Sequence, residues 1–367
     1  MLKTLILALG LTAAGTMSVS AADLSGKSWD DIVAQAKQEG QLNWYVWYLQ
    51  DDLRRFVEPF EKEYGIKITI PEGTQSANTT KLLAERERAT GDIDVFSTSY
   101  GNVGALDRDA LFMPLDVLPK DDGRISMVNG VEGGDRFLAF WGNQTGIAYD
   151  PAHVSADELP QTPEDFAAFW EKNPGKFGFN YDDGSAGPAF YQAILRQLSG
   201  LDFSDGEVTD AKLKALEPGF QFFRDHADQY VITSSNADSI IRVSDGELWM
   251  VSAWEDHLSG LQKRGEVRKD IKFYIPKMGM EGGANGVAVA NNAPHAAASA
   301  VFINWLTLPE TQTAFNAEFG TAPMNKASDD SRALVTRDQR ANQTTRASNP
   351  LRDKMDDLFG DEVILER

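Results

Sequence analysis

Apolar and polar positions in this chain follow two alternating rhythms. The stretch QLNWYVWYLQDD, residues 41–52, opens as an apolar strand over Leu42–Val46 and runs into Trp47 and Tyr48. Asp51 and Asp52 then begin an amphipathic segment, DDLRRFVEPFEKEYG, that predicts a helix over Asp51–Tyr64. Before it, SWDDIVAQAKQEG predicts a helix started by Ser28 and stopped by Gly40. A strand over Ile66–Ile70, a helix over Thr79–Thr90 and a strand over Ile93–Ser97 repeat the pattern. Strands and helices alternating at this spacing predict parallel sheet covered by helices on both faces.

Near FLAFWGNQTGIAY, residues 137–149, the pattern changes to two short strands with no helix between them, which reads as a crossing into a second domain. That domain is expected to hold helix Pro163–Asn173, strand Lys176–Tyr181, the polar loop DDGSAG, helix Pro188–Ser199, strand Gly246–Ala253 and helix His257–Arg264. Strand Ile271–Ile275 and the apolar run Gly286–Ala290 read as the crossing back, followed by helices Ala293–Leu306 and Pro309–Phe319. The charged tail after Ser328 reads as surface helix with poorly ordered residues. These crossings divide the chain into residues 22–140 plus 277–345 as lobe I, 141–276 as lobe II, and 346–367 as a charged C-terminal helix or tail. The expected fold class is α/β: two open α/β lobes joined by a two-stranded hinge, closing over a cleft.

Composition sharpens this picture. A chain of 367 residues is too long for one ordinary core. A net charge of −20 argues against nucleic acid and anionic membrane as partners. Lys3, the apolar run Leu5–Ala14 and the small residues Val19-Ser20-Ala21 form an export signal over residues 1–21, cleaved near Ala21. With no cysteine there are no disulfides, no thiol nucleophile and no lipid-modified cysteine. A soluble, monomeric periplasmic protein is the expectation.

Open α/β sheets bind ligands beyond the carboxyl ends of their strands. Trp44 and Val46 share a strand face and read as core, whereas Trp47 and Tyr48 stand at the strand end. Trp254 and Glu255 follow the strand GELWMVSA in the same way. An aromatic face beside a carboxylate suits a cation. Glu255 and Asp256 serve equally well as acids favouring the N-terminus of the next helix, and Asp182 and Asp183 as turn residues before Gly184. Ser99 and Asn143 complete the polar candidates. The segment containing Asp202, Ser204 and Gly206 lacks the closing acid of a calcium loop, having Leu213 there, and the four histidines have no metal-ligand spacing. No metal or cofactor is expected.

Taken in order, LNWYVWYLQDDLRRFVEPFEKEYGIKI, DIDVFSTSYGNVGAL, FWGNQTGIAYDP, PEDFAAFWE, DGELWMVSAWEDHL and AVFINWLTLPETQTAFNAEFGTAP resemble the extracellular solute-binding proteins of ABC importers, in the family that includes spermidine/putrescine and ferric-iron receptors. The resemblance implies the type II periplasmic-binding-protein fold and a receptor that delivers a small solute to its cognate ABC permease in the inner membrane. It places Trp47, Tyr48, Tyr100, Trp141 and Trp254 at or beside aromatic or cleft-lining positions and Asp182 near a cleft carboxylate. One departure is visible: where polyamine receptors carry a second carboxylate, this chain has Asn285. The expected ligand set is therefore Trp47, Tyr48, Tyr100, Trp141, Asp182, Asp183, Trp254, Glu255 and Asn285, for a small polar, amine-bearing solute rather than a long diamine. Iron receptors use neighbouring tyrosines, and no Tyr-Tyr pair occurs here. Receptors for a neutral polyol, sugar or anion are the alternatives, and a secreted hydrolase using Asp182 and Glu255 is the rival from another class.

Overall fold

The computed structural model describes residues 24–181, 184–336 and 338–366. The expected export signal, Asp182 and Asp183 lie outside the described residues. In chain order the strands are β1 (Gln41–Tyr45), β2 (Lys67–Thr69), β3 (Val95–Ser99), the short hairpin β4 (Met127–Val128) and β5 (Val131–Glu132), β6 (Leu138–Tyr149), β7 (Phe177–Asn180), β8 (Val231–Thr233), β9 (Met250–Trp254), β10 (Lys272–Tyr274), β11 (Met280–Val289) and β12 (Gln343–Thr344). They run in the order β2-β1-β3-β11-β6-β9-β7-β8, with β10 on β6 and β12 on β11.

Sequence signals set most helix ends. The helix Trp29–Glu39 starts at Ser28, whose hydroxyl accepts from the Asp31 N–H, and ends at Gly40, with φ 66°. The single helix expected over Asp51–Tyr64 is broken at Val57 into Gln50–Phe56 and Glu58–Tyr64. Pro59 sits in the first turn of the second piece, because its ring cannot continue the helix before it.

Two separate apolar cores lie under this sheet. The first contains Trp44, with 0% exposure, set edge-on to Phe140 and Phe302 at 5.6 and 5.1 Å between ring centroids. Trp44 and Val46 are thus core, as their shared strand face requires. The second is built from Phe166, Trp170, Phe177, Phe179, Phe190 and Phe223. The chain changes core between Trp141 and Ile147 and between Met280 and Ala284. Both changes fall inside strands, β6 and β11, which are the two hinge strands.

Two larger features also differ from the sequence expectation. Residues 138–149 form one continuous strand rather than two, pairing with β11 over its first half and with β9 over its second. No turn residue interrupts it in a way that ends pairing, since Gly142 and Gly146 are needed for close approach. A methyl at Gly142 would overlap Ala322, and one at Gly146 would overlap Phe273. The C-terminal segment is also packed rather than loose. Leu351, Met355, Phe359 and Val363 recur every four residues and are buried in the second core. Phe359 stacks on Tyr191 at 3.9 Å, and Asp356 accepts from Tyr191 Oη at 2.5 Å and Gln192 Nε2 at 2.7 Å.

Candidate solute-binding cleft

Strand ends from both cores converge where β6 and β11 cross. β1 ends at Tyr45 and leads to Trp47 and Tyr48, whose rings meet edge-on at 4.8 Å. Tyr48 in turn packs edge-on against Trp141 at 5.0 Å. The next residue, Leu49, has φ 49°, an unusual backbone for a branched aliphatic residue that turns the chain sharply from strand to helix. The Tyr48 hydroxyl is closed off from solvent and makes no well-formed hydrogen bond, although the Asn285 side chain lies next to it. Burial pushes this phenol well above its usual range.

Asn285, 4% exposed, sits on β11 opposite Ser99 of β3 and Trp141 of β6, where the register shifts before Gly286. Bulges of this kind re-aim side chains and collect beside binding sites.

The second lobe contributes the end of β9. Trp254 is half-buried, and its Nε1–H donates to Ser185 Oγ at 3.2 Å. Ser185 immediately precedes the helix Ala186–Ser199, whose first N–H groups donate to two buried asparagines, Ala186 to Asn236 Oδ1 at 3.2 Å and Gly187 to Asn180 Oδ1 at 2.9 Å. That helix start is therefore fixed before any solute arrives.

After Trp254 the helix Glu255–Arg264 begins. Its first two acids point to different surroundings. Glu255 is 1% exposed and is held by the C-terminal segment: Arg340 Nη2 donates to its two oxygens at 2.7 and 2.9 Å, and the Leu334 N–H donates at 3.2 Å. Burial raises its carboxyl pKa, and the Arg340 charge opposes that rise. Asp256 is half-buried and acts electrostatically on Tyr48 of the other lobe. Among the described residues no lysine, arginine or histidine forms an ion pair with it, and it accepts the His257 N–H at 2.9 Å.

A family model for bacterial extracellular solute-binding proteins matches residues 55–342, which span both cores and both hinge strands. The chain belongs to that family.

A related solute-binding protein is the Fe(3+)-binding periplasmic protein of Serratia marcescens, 26% identical over 261 residues, which cover 70% of this chain and 70% of that one. Among solved structures, the spermidine/putrescine ABC transporter substrate-binding protein PotD of Streptococcus pneumoniae, in complex with calcium and HEPES, aligns with a TM-score of 0.69 and 14% identity, covering 89% of this chain and 99% of its own. Iron-bound HitA of Pseudomonas aeruginosa aligns with a TM-score of 0.60 and 18% identity, covering 88% and 99%. Those likenesses establish the two-lobed periplasmic-binding-protein fold. Solute-binding proteins of this kind deliver small ligands to ABC permeases.

Within this solute-binding protein, Trp47, Tyr48, Trp141, Trp254 and Asn285 all gather around the hinge crossing. Trp141 is 1% exposed, packed on Phe315 and Phe319 as well as Tyr48, so it forms the floor beneath Tyr48. Tyr100 is also 1% exposed, and its hydroxyl donates to the Ser126 carbonyl at 2.5 Å. Ser99 pairs directly with Asn285 across β3, whereas Asn143 pairs with Gly283, two residues before Asn285 on β11. Asp256 was not among the expected ligand residues. Its signal in the sequence was the tripeptide Trp-Glu-Asp, which does not say which acid faces the cleft. Among the described residues no group of three or more His, Asp or Glu side chains is arranged to hold a metal.

Proposed function

We propose that this chain, in the periplasm, captures one small, amine-bearing solute between its lobes and hands it, unchanged, to a cognate ABC permease in the inner membrane. The observation that carries the reading is Asp256. It is a half-buried carboxylate without an ion-pair partner among the described residues, one position after Trp254 and close enough to Tyr48 for its charge to be felt there. An ammonium group there gains a charge-assisted hydrogen bond from Asp256 and the faces of Trp47 and Trp254. The buried Tyr48 hydroxyl supplies a donor for an acceptor on the same solute, beside the neutral amide of Asn285. Asp182 and Asp183, which precede the helix Ala186–Ser199 in sequence, stay in the proposed ligand set, with Trp141 and Tyr100 as floor. Glu255 serves as an anchor rather than a ligand contact.

A thermal-shift screen of monoamines, amino alcohols, amino acids, polyamines and polyols tests this, followed by calorimetry. A ligand at 100 times its Kd stabilises the folded state by about 2.7 kcal/mol. A monoamine should give the largest shift, and Asp256→Asn should remove it. A shift only with polyols or anions would overturn the amine reading. Turnover of the bound compound would overturn the receptor reading.

The name of the Serratia relative favours ferric ion as a second reading. It requires anionic tyrosines, whereas burial pushes Tyr48 the other way and Tyr100 is bonded to a backbone carbonyl. Titration with ferric nitrilotriacetate, watching for phenolate-to-iron absorption, decides between the two.

A further inference from the structure

The lobes have a third connection besides β6 and β11. After the helix Pro309–Phe319 the chain stays on the first lobe: the Asp329 N–H donates to Thr313 Oγ1 at 3.0 Å and the Arg332 N–H to Asn316 Oδ1 at 3.1 Å. Two residues later it has landed on the second lobe, where Leu334 N–H reaches Glu255 and Val335 enters the second core. Arg340 then closes on the same carboxylate, and β12 pairs with β11 at Met280 and Glu281.

The free link is short. From Arg332 to Leu334 two residues span at most about 7 Å when fully extended. On the same side, the second lobe's helix Glu255–Arg264 leans on the first lobe's helix Pro309–Phe319. Lys263 pairs with Glu318 and also donates to its carbonyl at 3.2 Å, and a methyl on Gly320 would overlap Ser259. Hinge strands bend, but a link of this length anchored at both ends does not follow a wide opening.

A buried ion pair is an inefficient source of stability, because both charges lose their hydration. Its value here lies in where it holds the chain. We propose that Glu255 and Arg340 anchor a short tether that limits how far the lobes open along these two helices. Glu255 lies between Trp254 and Asp256, so the same anchor sets the resting position of one cleft wall. The tether acts whatever the solute is.

The cysteine-free chain makes the test direct. Glu310→Cys on the first lobe and Lys269→Cys on the second, both exposed, are labelled with nitroxides in the mature protein without added ligand. Double electron–electron resonance then reads the interlobe distance. Three variants are compared with the labelled parent. Arg340→Gln removes one anchor, the double variant Glu255→Gln/Arg340→Gln replaces the pair with neutral amides, and a Gly-Gly insertion between Ala333 and Leu334 lengthens the link by about 7 Å while keeping both anchors. The tether predicts a longer mean distance and a broader distribution in each variant that circular dichroism shows to be folded. A folded insertion variant whose distribution superimposes on the parent overturns it, even if Arg340→Gln loses stability, because the insertion leaves the ion pair intact.

Discussion

His295 grips Asp94 at two points, its backbone N–H on Oδ1 at 2.7 Å and its ring Nδ1 against Oδ2 at 3.0 Å. Asp94 is fully buried and also accepts the Asn43 N–H at 2.8 Å, so one carboxylate just before β3 ties the middle of β1 to the residue preceding the helix Ala296–Leu306. The hydrogen bond to Asp94 raises the His295 pKa, against the opposing effect of burial.

The sign of the pH dependence follows. A histidine whose pKa is raised on folding stabilises the protein fully below its unfolded value of about 6.5, and that contribution is lost as pH rises through the higher folded value. The stability that His295 contributes should therefore fall on going from mildly acidic to alkaline pH, and the melting temperatures of parent and His295→Gln should converge. His295→Gln should flatten that fall and cost about 1–3 kcal/mol at the acidic end. An unchanged pH profile in the variant would show that the pair does not titrate as described.

Arg340→Gln leaves Glu255 buried without its counter-charge. Breaking such a pair costs about 3–5 kcal/mol. Urea unfolding should show this loss, and Glu255→Gln/Arg340→Gln should recover most of it, since no net charge then remains in the site.

Tyr48→Phe removes a buried hydroxyl that lacks a well-formed partner. The unsatisfied group costs about 1–3 kcal/mol, so the variant should be as stable as the parent or more so without ligand. The same change should weaken binding of any solute that shifts the parent's melting temperature. A variant that is both less stable and equally avid would mean the hydroxyl serves the fold.

Trp254→Ala tests the proposal that this indole forms one aromatic wall of the cleft. For an amine-bearing solute the combined loss of contact area and cation–π attraction is on the order of 2–4 kcal/mol, or roughly 30- to 1,000-fold in affinity. Trp254 is only half-buried, so urea unfolding should change less than affinity does. Lost stability with unchanged affinity per folded molecule would remove Trp254 from the site.

Much of the local structure was written in short-range signals. Ser28 and Gly40 bound the first helix, and Thr162 and Asp165 cap the helix Pro163–Lys172 reciprocally, because a cap involves only residues within one turn. The strand-end positions of Trp47 and Trp254 were legible for the same reason: apolar runs stop there and helices start. Pairing across the hinge was not legible. Whether residues 138–149 form one strand or two depends on partners more than 100 residues away, β9 and β11.

The two acids after Trp254 show the limit most clearly. By itself the sequence determined that Glu255 and Asp256 open a helix beside a strand-end tryptophan, since that follows from apolar periodicity and the preference of acids for helix N-termini. Which acid stays half-exposed and which is buried against Arg340 came from the folded arrangement. The choice is made by a residue 85 positions away, and local sequence carries no information about a counter-charge delivered by a distant segment.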